Sequence, residues 1–216
     1  IASALCRTRG IAVCDGEGGF DVAVAEYVVA AALVLLRGLF VAEGGGGGGG
    51  GGRCLFGATF ALLGFDRTAR GVAYAARGLG ARVVAHDPGL RPGSASWRDV
   101  EPVTRDALLA RADVLSLHPP GGERGPACRL DGGDLARLRP DAVLVDASPG
   151  GAVDEAALFQ ALDRGRLRAA ALDRPGPERA GLLRTAGRAR RTAGDGPRLA
   201  ALVARRLRAV LDRPGG

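Results

Sequence analysis

The 216-residue chain has no lysine, no asparagine and no methionine, and its only isoleucines are Ile1 and Ile11. All thirty basic side chains are arginine, against 23 acids, a net charge of +7. Arg, Ala, Gly and Pro rich, Lys, Asn, Met and Ile poor, is the composition a GC-rich coding sequence imposes. The number of arginines is therefore no argument for a nucleic-acid partner. The missing Met predicts a fragment or the product of a partial gene. Cysteine is sparse too: Cys6, Cys14, Cys54 and Cys128 form no C-x-x-C pair and have no histidine near them in sequence. That spacing argues against a zinc site or a disulfide framework. It predicts small buried hydrophobes in a reducing compartment, cytoplasmic or nuclear. Long apolar runs are also missing. Val22 to Val41 carries Glu26 and Arg37, and its unbroken core, Tyr27 to Leu36, falls short of the ~20 residues of a membrane span, which predicts a buried helix and no membrane partner.

With 47% hydrophobic residues the chain can bury a substantial core. Its charge is uneven. Residues 1–173 hold 19 Arg and 20 acids, whereas residues 174–216 hold 11 Arg and 3 acids. The body is electrostatically ordinary, and the positive excess lies in the tail.

Turn and cap signals divide the chain further. Arg9 to Val13 reads as a short strand, followed by a Gly-rich turn, Asp15 to Gly19. Asp21 is expected to cap a helix over Val22 to Leu39. Gly44 to Gly52 is a run of nine glycines, which cannot repay its ordering entropy and reads as a flexible tether, a codon-repeat expansion in a loop. Strands and helices then alternate. Strands are expected at Thr59–Leu63, Arg82–Ala85, Asp113–Leu117, Ala142–Val145 and Leu167–Leu172. Helices are expected at Arg67–Arg77, Thr104–Ala112, Asp134–Leu138 and from Asp154 to about Leu162. This rhythm predicts an α/β fold, a doubly wound parallel sheet. Pro197 to Leu211 reads as a helix, with Leu199, Leu202, Val203, Leu207 and Val210 on one face and Arg198, Arg205 and Arg208 mainly on the other.

The turn after the first of these sheet strands, Gly64-Phe-Asp-Arg-Thr-Ala69, resembles half of a dinucleotide fingerprint. G-x-G-x-x-G serves a tight turn, close backbone approach to pyrophosphate and close helix packing. Gly64 keeps the first position and Ala69 is tolerated at the third. Asp66 stands at the second, where it crowds the approach and repels the phosphates. Asp87, 23 residues after Gly64, sits where an acid holds the adenosine ribose.

Five further blocks, in order and at matching spacing, carry a family resemblance. Leu108-Leu-Ala-Arg-Ala-Asp-Val-Leu-Ser-Leu-His118, with Pro119 or Pro120, is similar to "LL..aDv.slH.P". Leu138 to Asp146 is similar to "mKpga.liN". Gly150 to Glu155, with Ala161, Leu162 and Gly165, is similar to "GG.vDe.aL..AL..G", and Ala170 to Asp173 to "aAlDv". Gly57 to Gly64 resembles the first nucleotide-binding strand. Over about residues 9–178 the chain resembles the D-isomer-specific 2-hydroxyacid dehydrogenases and their relatives, the C-terminal-binding-protein corepressors.

The resemblance implies a Rossmann-type NAD-binding domain over 53–196. A remnant of the substrate domain (1–20), an interdomain helix (21–43), the tether (44–52) and a basic amphipathic helix (197–216) flank it. It implies cofactor-binding roles for Gly64, Phe65, Arg67, Thr68, Asp87, His118 and Asp173. The alternative for His118 is a structural histidine at a strand end. The family's catalytic Arg falls on Pro149, which has no donor. Its acid falls on Glu178, a candidate catalytic residue that also reads as an exposed-loop acid. Its Pro-His pair is missing, with the aligned position near Arg191, and arginine cannot shuttle a proton near neutral pH. These departures resemble the plant ANGUSTIFOLIA branch of the corepressor group. They imply weak NAD(H) binding and reduced or absent dehydrogenase activity in a homodimeric, protein-binding scaffold. The alternative is an NAD-dependent oxidoreductase acting on the CH–OH group of a 2-hydroxy acid.

Overall fold

In a computed structural model, which describes residues 3–14, 16, 18–39, 51–91, 93–119 and 129–212, seven parallel strands form one sheet. They are β1 (Thr59–Leu63), β2 (Arg82–His86), β3 (Glu101–Pro102), β4 (Val114–Leu117), β5 (Val143–Asp146), β6 (Ala169–Leu172) and β7 (Leu182–Arg184). The order is β3-β2-β1-β4-β5-β6-β7, so the winding reverses between β1 and β4. Phe60 pairs with Val114 and Leu63 with Leu117 across that reversal. Every residue of β1, β4, β5 and β6 is buried. Such short, uninterrupted apolar runs suit strands covered on both faces.

Alternate side chains of each strand feed two cores. Phe60 and Leu62 join Val28, Leu35, Val72 and Ala76 on one face, under α2 (Asp21–Arg37) and α3 (Arg67–Gly78). Ala61 and Leu63 join Leu108, Leu135 and Leu158 on the other, under α4 (Arg105–Arg111), α5 (Gly132–Leu135) and α6 (Glu155–Asp163). Side-chain caps fix the helix starts. Thr104 accepts from the Ala107 amide, Asp154 from that of Ala157, and Asp131 and Asp134 form a reciprocal capping box. Each cap of this kind contributes about 1 kcal/mol.

The doubly wound expectation holds, and four local expectations need correction. Arg9 to Val13 is not a strand; α1 (Ser3–Thr8) precedes it and the segment itself is irregular. Phe20, not Asp21, takes the capping position of α2, because the Asp21 carboxylate turns to Thr68 Oγ1 (3.1 Å) and Arg67 Nε (3.4 Å). The helix expected from Asp134 is α5, which starts two residues earlier, behind the Asp131 cap. The strand expected from Leu167 begins at Ala169. Most of the glycine run (through Gly50), Asp15, Pro120 and Cys128 lie outside the described residues.

The C-terminal helix is present as α7 (Asp195–Leu211). Leu199, Leu202, Val203 and Val210 of its apolar row are half-buried and Leu207 is exposed, with Leu199 seated over Gly16 and Gly19: a Cβ at Gly16 would lie 2.5 Å from Leu199 Cδ1. Among the described residues, no helix is long and apolar enough to cross a membrane. No group of three or more potential metal ligands occurs among them either.

The N-terminal edge of the sheet is stitched by charge. Asp113, just before β4, accepts from the Thr59 amide (2.8 Å) and from Arg53 Nη2 (2.7 Å), with Arg139 at 3.4 Å. Arg53 also reaches Asp141 (2.9 Å), ahead of β5. Burial alone would raise the Asp113 pKa, but the Thr59 amide and the two guanidinium groups together hold it below the usual carboxylate range.

Candidate cofactor cleft

The C-terminal edge is built differently. At the β1/β4 reversal the loops after the two strands part, the place where open α/β sheets bind ligands. Gly64 ends β1 with φ +88°, a conformation that favours glycine. A Cβ there would lie 1.8 Å from the His118 carbonyl oxygen. Gly64 thus lets the β1 turn pack directly on the end of β4, and His118 closes the contact by donating its amide to Leu63 O (2.7 Å).

Asp66 follows as the N-cap of α3, its Oδ1 accepting from the Ala69 amide (2.8 Å). A helix N-terminus with free amides attracts phosphate. Here a carboxylate already holds one of those amides and complements the helix dipole itself. Asp87, just beyond β2, accepts from the Phe65 amide (2.8 Å) and the Gly89 amide (2.8 Å). Each of its oxygens keeps a second lone pair, so the pair of bonds aligns Asp87 without exhausting it. The Phe65 side chain is buried and stacks on Trp97 at 5.3 Å; only its backbone faces the turn. Arg67 and Thr68 are engaged by Asp21, which ties the turn to α2.

The cleft itself, about 60 Å³, is lined by Val24 of α2, Asp66, Thr68, His118, Ser148, Pro149 and Arg190, among others. His118 is buried, and its Nε2 lies 2.9 Å from Ser116 Oγ. Burial pushes its pKa down, against the opposing pull of Asp66 and Asp146, so the ring is neutral near pH 7. Pro149 stands on the wall where the resemblance places an arginine.

The other sequence-derived positions lie around this cleft rather than in its lining. Glu178 is exposed on the loop between β6 and β7. Asp173, at the end of β6, accepts from Thr185 Oγ1 (2.6 Å) and from the amides of Arg188 (2.7 Å) and Ala189 (2.9 Å). Tyr27 OH of α2 meets Thr185 Oγ1 at 2.6 Å. Together these bonds fix the loop after β7. The residue this loop sends into the cleft is Arg190, beside Arg191, near which the resemblance places the family's Pro-His pair. The alignment gives the loop, but which of its arginines enters depends on the Asp173 bonds, which are not local in sequence.

A buried ion-pair chain supports the far wall. Asp146, fully buried, accepts from the amides of Ser148 (3.0 Å) and Ala152 (2.8 Å), from the Ser148 hydroxyl and from Arg174 Nη1 (2.9 Å). Arg174 continues to Glu155 (2.6 Å), and Glu155 to Arg184.

In shape, the turn, the helix start and Asp87 fit a dinucleotide; in charge, Asp66 opposes its pyrophosphate. Comparison with known proteins agrees with the fold and the cofactor. Residues 47–186 match the family described as D-isomer specific 2-hydroxyacid dehydrogenase, NAD binding domain. The chain is 39% identical over 175 residues to the (S)-sulfolactate dehydrogenase of Chromohalobacter salexigens, covering 78% of this chain and 56% of that one. It is 34% identical over 171 residues to the D-3-phosphoglycerate dehydrogenase of Mycobacterium bovis, covering 76% and 32%. The chain therefore spans about half, or less, of the length of these relatives. The D-lactate dehydrogenase of Lactobacillus jensenii, solved with NAD+, shares the fold with a TM-score of 0.76 at 23% identity, over 95% of this chain and 70% of that one. The chain belongs to the D-isomer-specific 2-hydroxyacid dehydrogenase family, and what it carries is that family's NAD-binding domain.

Proposed function

We propose that this chain binds NAD(H) weakly and has reduced or absent dehydrogenase activity of its own, acting as a scaffold in the manner of the C-terminal-binding proteins. The observation that carries this reading is Pro149 on the cleft wall. A bidentate carboxylate clamp needs a planar, charged fork of donors, and proline offers none. His118 does not fill the missing acid–base role, being buried, neutral and engaged with Ser116. NAD(H), when bound, supplies or accepts a hydride. Gly64 and Phe65 would form the turn beneath it, Asp87 would take its ribose hydroxyls, and Thr68, His118 and Asp173 would line or support its cleft. Asp66 limits its affinity. The same reading gives residues 53–196 as the nucleotide unit and expects a homodimer with protein partners. The test is NADH oxidation with pyruvate, hydroxypyruvate and 3-sulfopyruvate. The expected rate is indistinguishable from the enzyme-free control, with NADH binding still measurable by quenching of Trp97.

A second reading, an NAD-dependent oxidoreductase acting on the CH–OH group of a 2-hydroxy acid, is favoured by the 39% identity to a sulfolactate dehydrogenase. Sustained turnover of any of the three oxo acids establishes it and removes the first.

A further inference from the structure

Arg190 is the only cationic side chain among the described residues lining the cleft, since His118 is neutral there. Other arginines at the sheet ends are spent on carboxylates: Arg53 on Asp113, Arg105 on Asp134, Arg174 on Asp146. Arg190 forms no ion pair with any described carboxylate. Its guanidinium lies 5.9 Å from the centroid of the Phe20 ring, a contact that orients the group without neutralising it. The loop beneath it is fixed by the three bonds to Asp173, and Ala189 beside it is buried. On the same wall, the Ser148 hydroxyl is spent on Asp146, and Pro149 has no donor. Asp66 adds a negative charge to the α3 end of the cleft. A guanidinium that lines a cleft, free of any described carboxylate, is suited to receive an oxyanion.

We infer that Arg190 is the oxyanion clamp of this cleft, accepting either the pyrophosphate of the dinucleotide or the carboxylate of a 2-oxo acid. This rests on the reading that the cleft takes NAD(H). It places the positive charge that Pro149 lacks on a different loop, and sets it against the charge of Asp66.

The test compares the full wild-type chain with Arg190→Gln and Arg190→Lys by calorimetric titration. The probes are ADP-ribose, which carries the pyrophosphate, oxamate, which carries a carboxylate beside a carbonyl, and adenosine, which carries no anion. Arg190 is exposed, so both variants should fold, and circular dichroism checks this. Losing one charge-assisted pair should weaken binding about tenfold in Arg190→Gln, with partial recovery in Arg190→Lys and no change for adenosine. Loss confined to ADP-ribose assigns the clamp to pyrophosphate; loss confined to oxamate assigns it to a carboxylate and removes Pro149 as the ground for absent dehydrogenase activity. Equal affinity of wild type and Arg190→Gln for both anions overturns the clamp and leaves the cofactor reading standing. A wild-type chain that binds neither anion overturns both.

Discussion

The clasp at the N-terminal edge of the sheet and the cleft at its C-terminal edge use charge in opposite ways. At the N-terminal edge Asp113 meets the Thr59 amide, Arg53 and Arg139, and Arg53 goes on to Asp141. These charges pair with one another, and the result is a clasp holding the starts of β1, β4 and β5. At the C-terminal edge Asp66 is answered by an amide, His118 is neutral, and Arg190 rests on an aromatic ring. Paired charge serves stability, as it also does in the Asp146–Arg174–Glu155 chain behind the cleft. Unpaired charge in the cleft is available to a ligand. Carboxylates and guanidinium groups of the same kinds thus acquire different roles from their neighbours alone.

The sharpest way to break this contrast is Asp113→Ala. It leaves the buried Thr59 amide without its acceptor and Arg53 with Asp141 alone, so unfolding free energy should fall by about 2 kcal/mol. NADH affinity should not change. Chemical denaturation and Trp97 titration on the same variant check both halves, and a loss of affinity would mean the edges are coupled. Next comes acid sensitivity. The folded pKa of His118 is depressed, so the unfolded chain binds the extra proton and stability must fall as pH drops below about 6.5. The clasp carboxylate, Asp113, is also depressed, and its contribution persists until pH falls below the ordinary carboxylate range. Two separate acid phases are expected in a pH series of denaturant midpoints, and His118→Gln should remove only the upper one. The smallest effect on stability, a few tenths of a kcal/mol, is expected from Asp66→Gly, because glycine is itself a tolerable cap. The same substitution should tighten NADH about tenfold, a gain of about 1.4 kcal/mol. Unchanged affinity would show that Asp66 is not what limits the cofactor.

Much of the fold was legible because the buried strands announce themselves. Thr59–Leu63 is an apolar run between glycine turns, and it forms a strand over the same residues. What escaped was short or non-local. Glu101–Pro102 and Leu182–Arg184 are two and three residues long and carry no period to detect. Asp21 looked like a cap by its position, yet Thr68 and Arg67, 47 and 46 residues away, claim its carboxylate. In the site, Gly64, Asp66 and Asp87 were readable because a backbone turn fixes residue type and spacing. Arg190 was not, because bonds from Asp173 and Tyr27 decide where its loop runs.

The ion-pair chain behind the far wall also couples two positions where the sequence departs from the family motif. Asp146 stands where the family motif has asparagine, and Arg174 where it has a small apolar residue; the two are bonded to each other. Replacing Arg174 alone with an apolar residue would leave a fully buried carboxylate without its cation, whereas Asp146→Asn alone would leave Arg174 still paired with Glu155. The two positions are thus coupled unequally, and the arginine depends less on the buried acid than the acid does on the arginine.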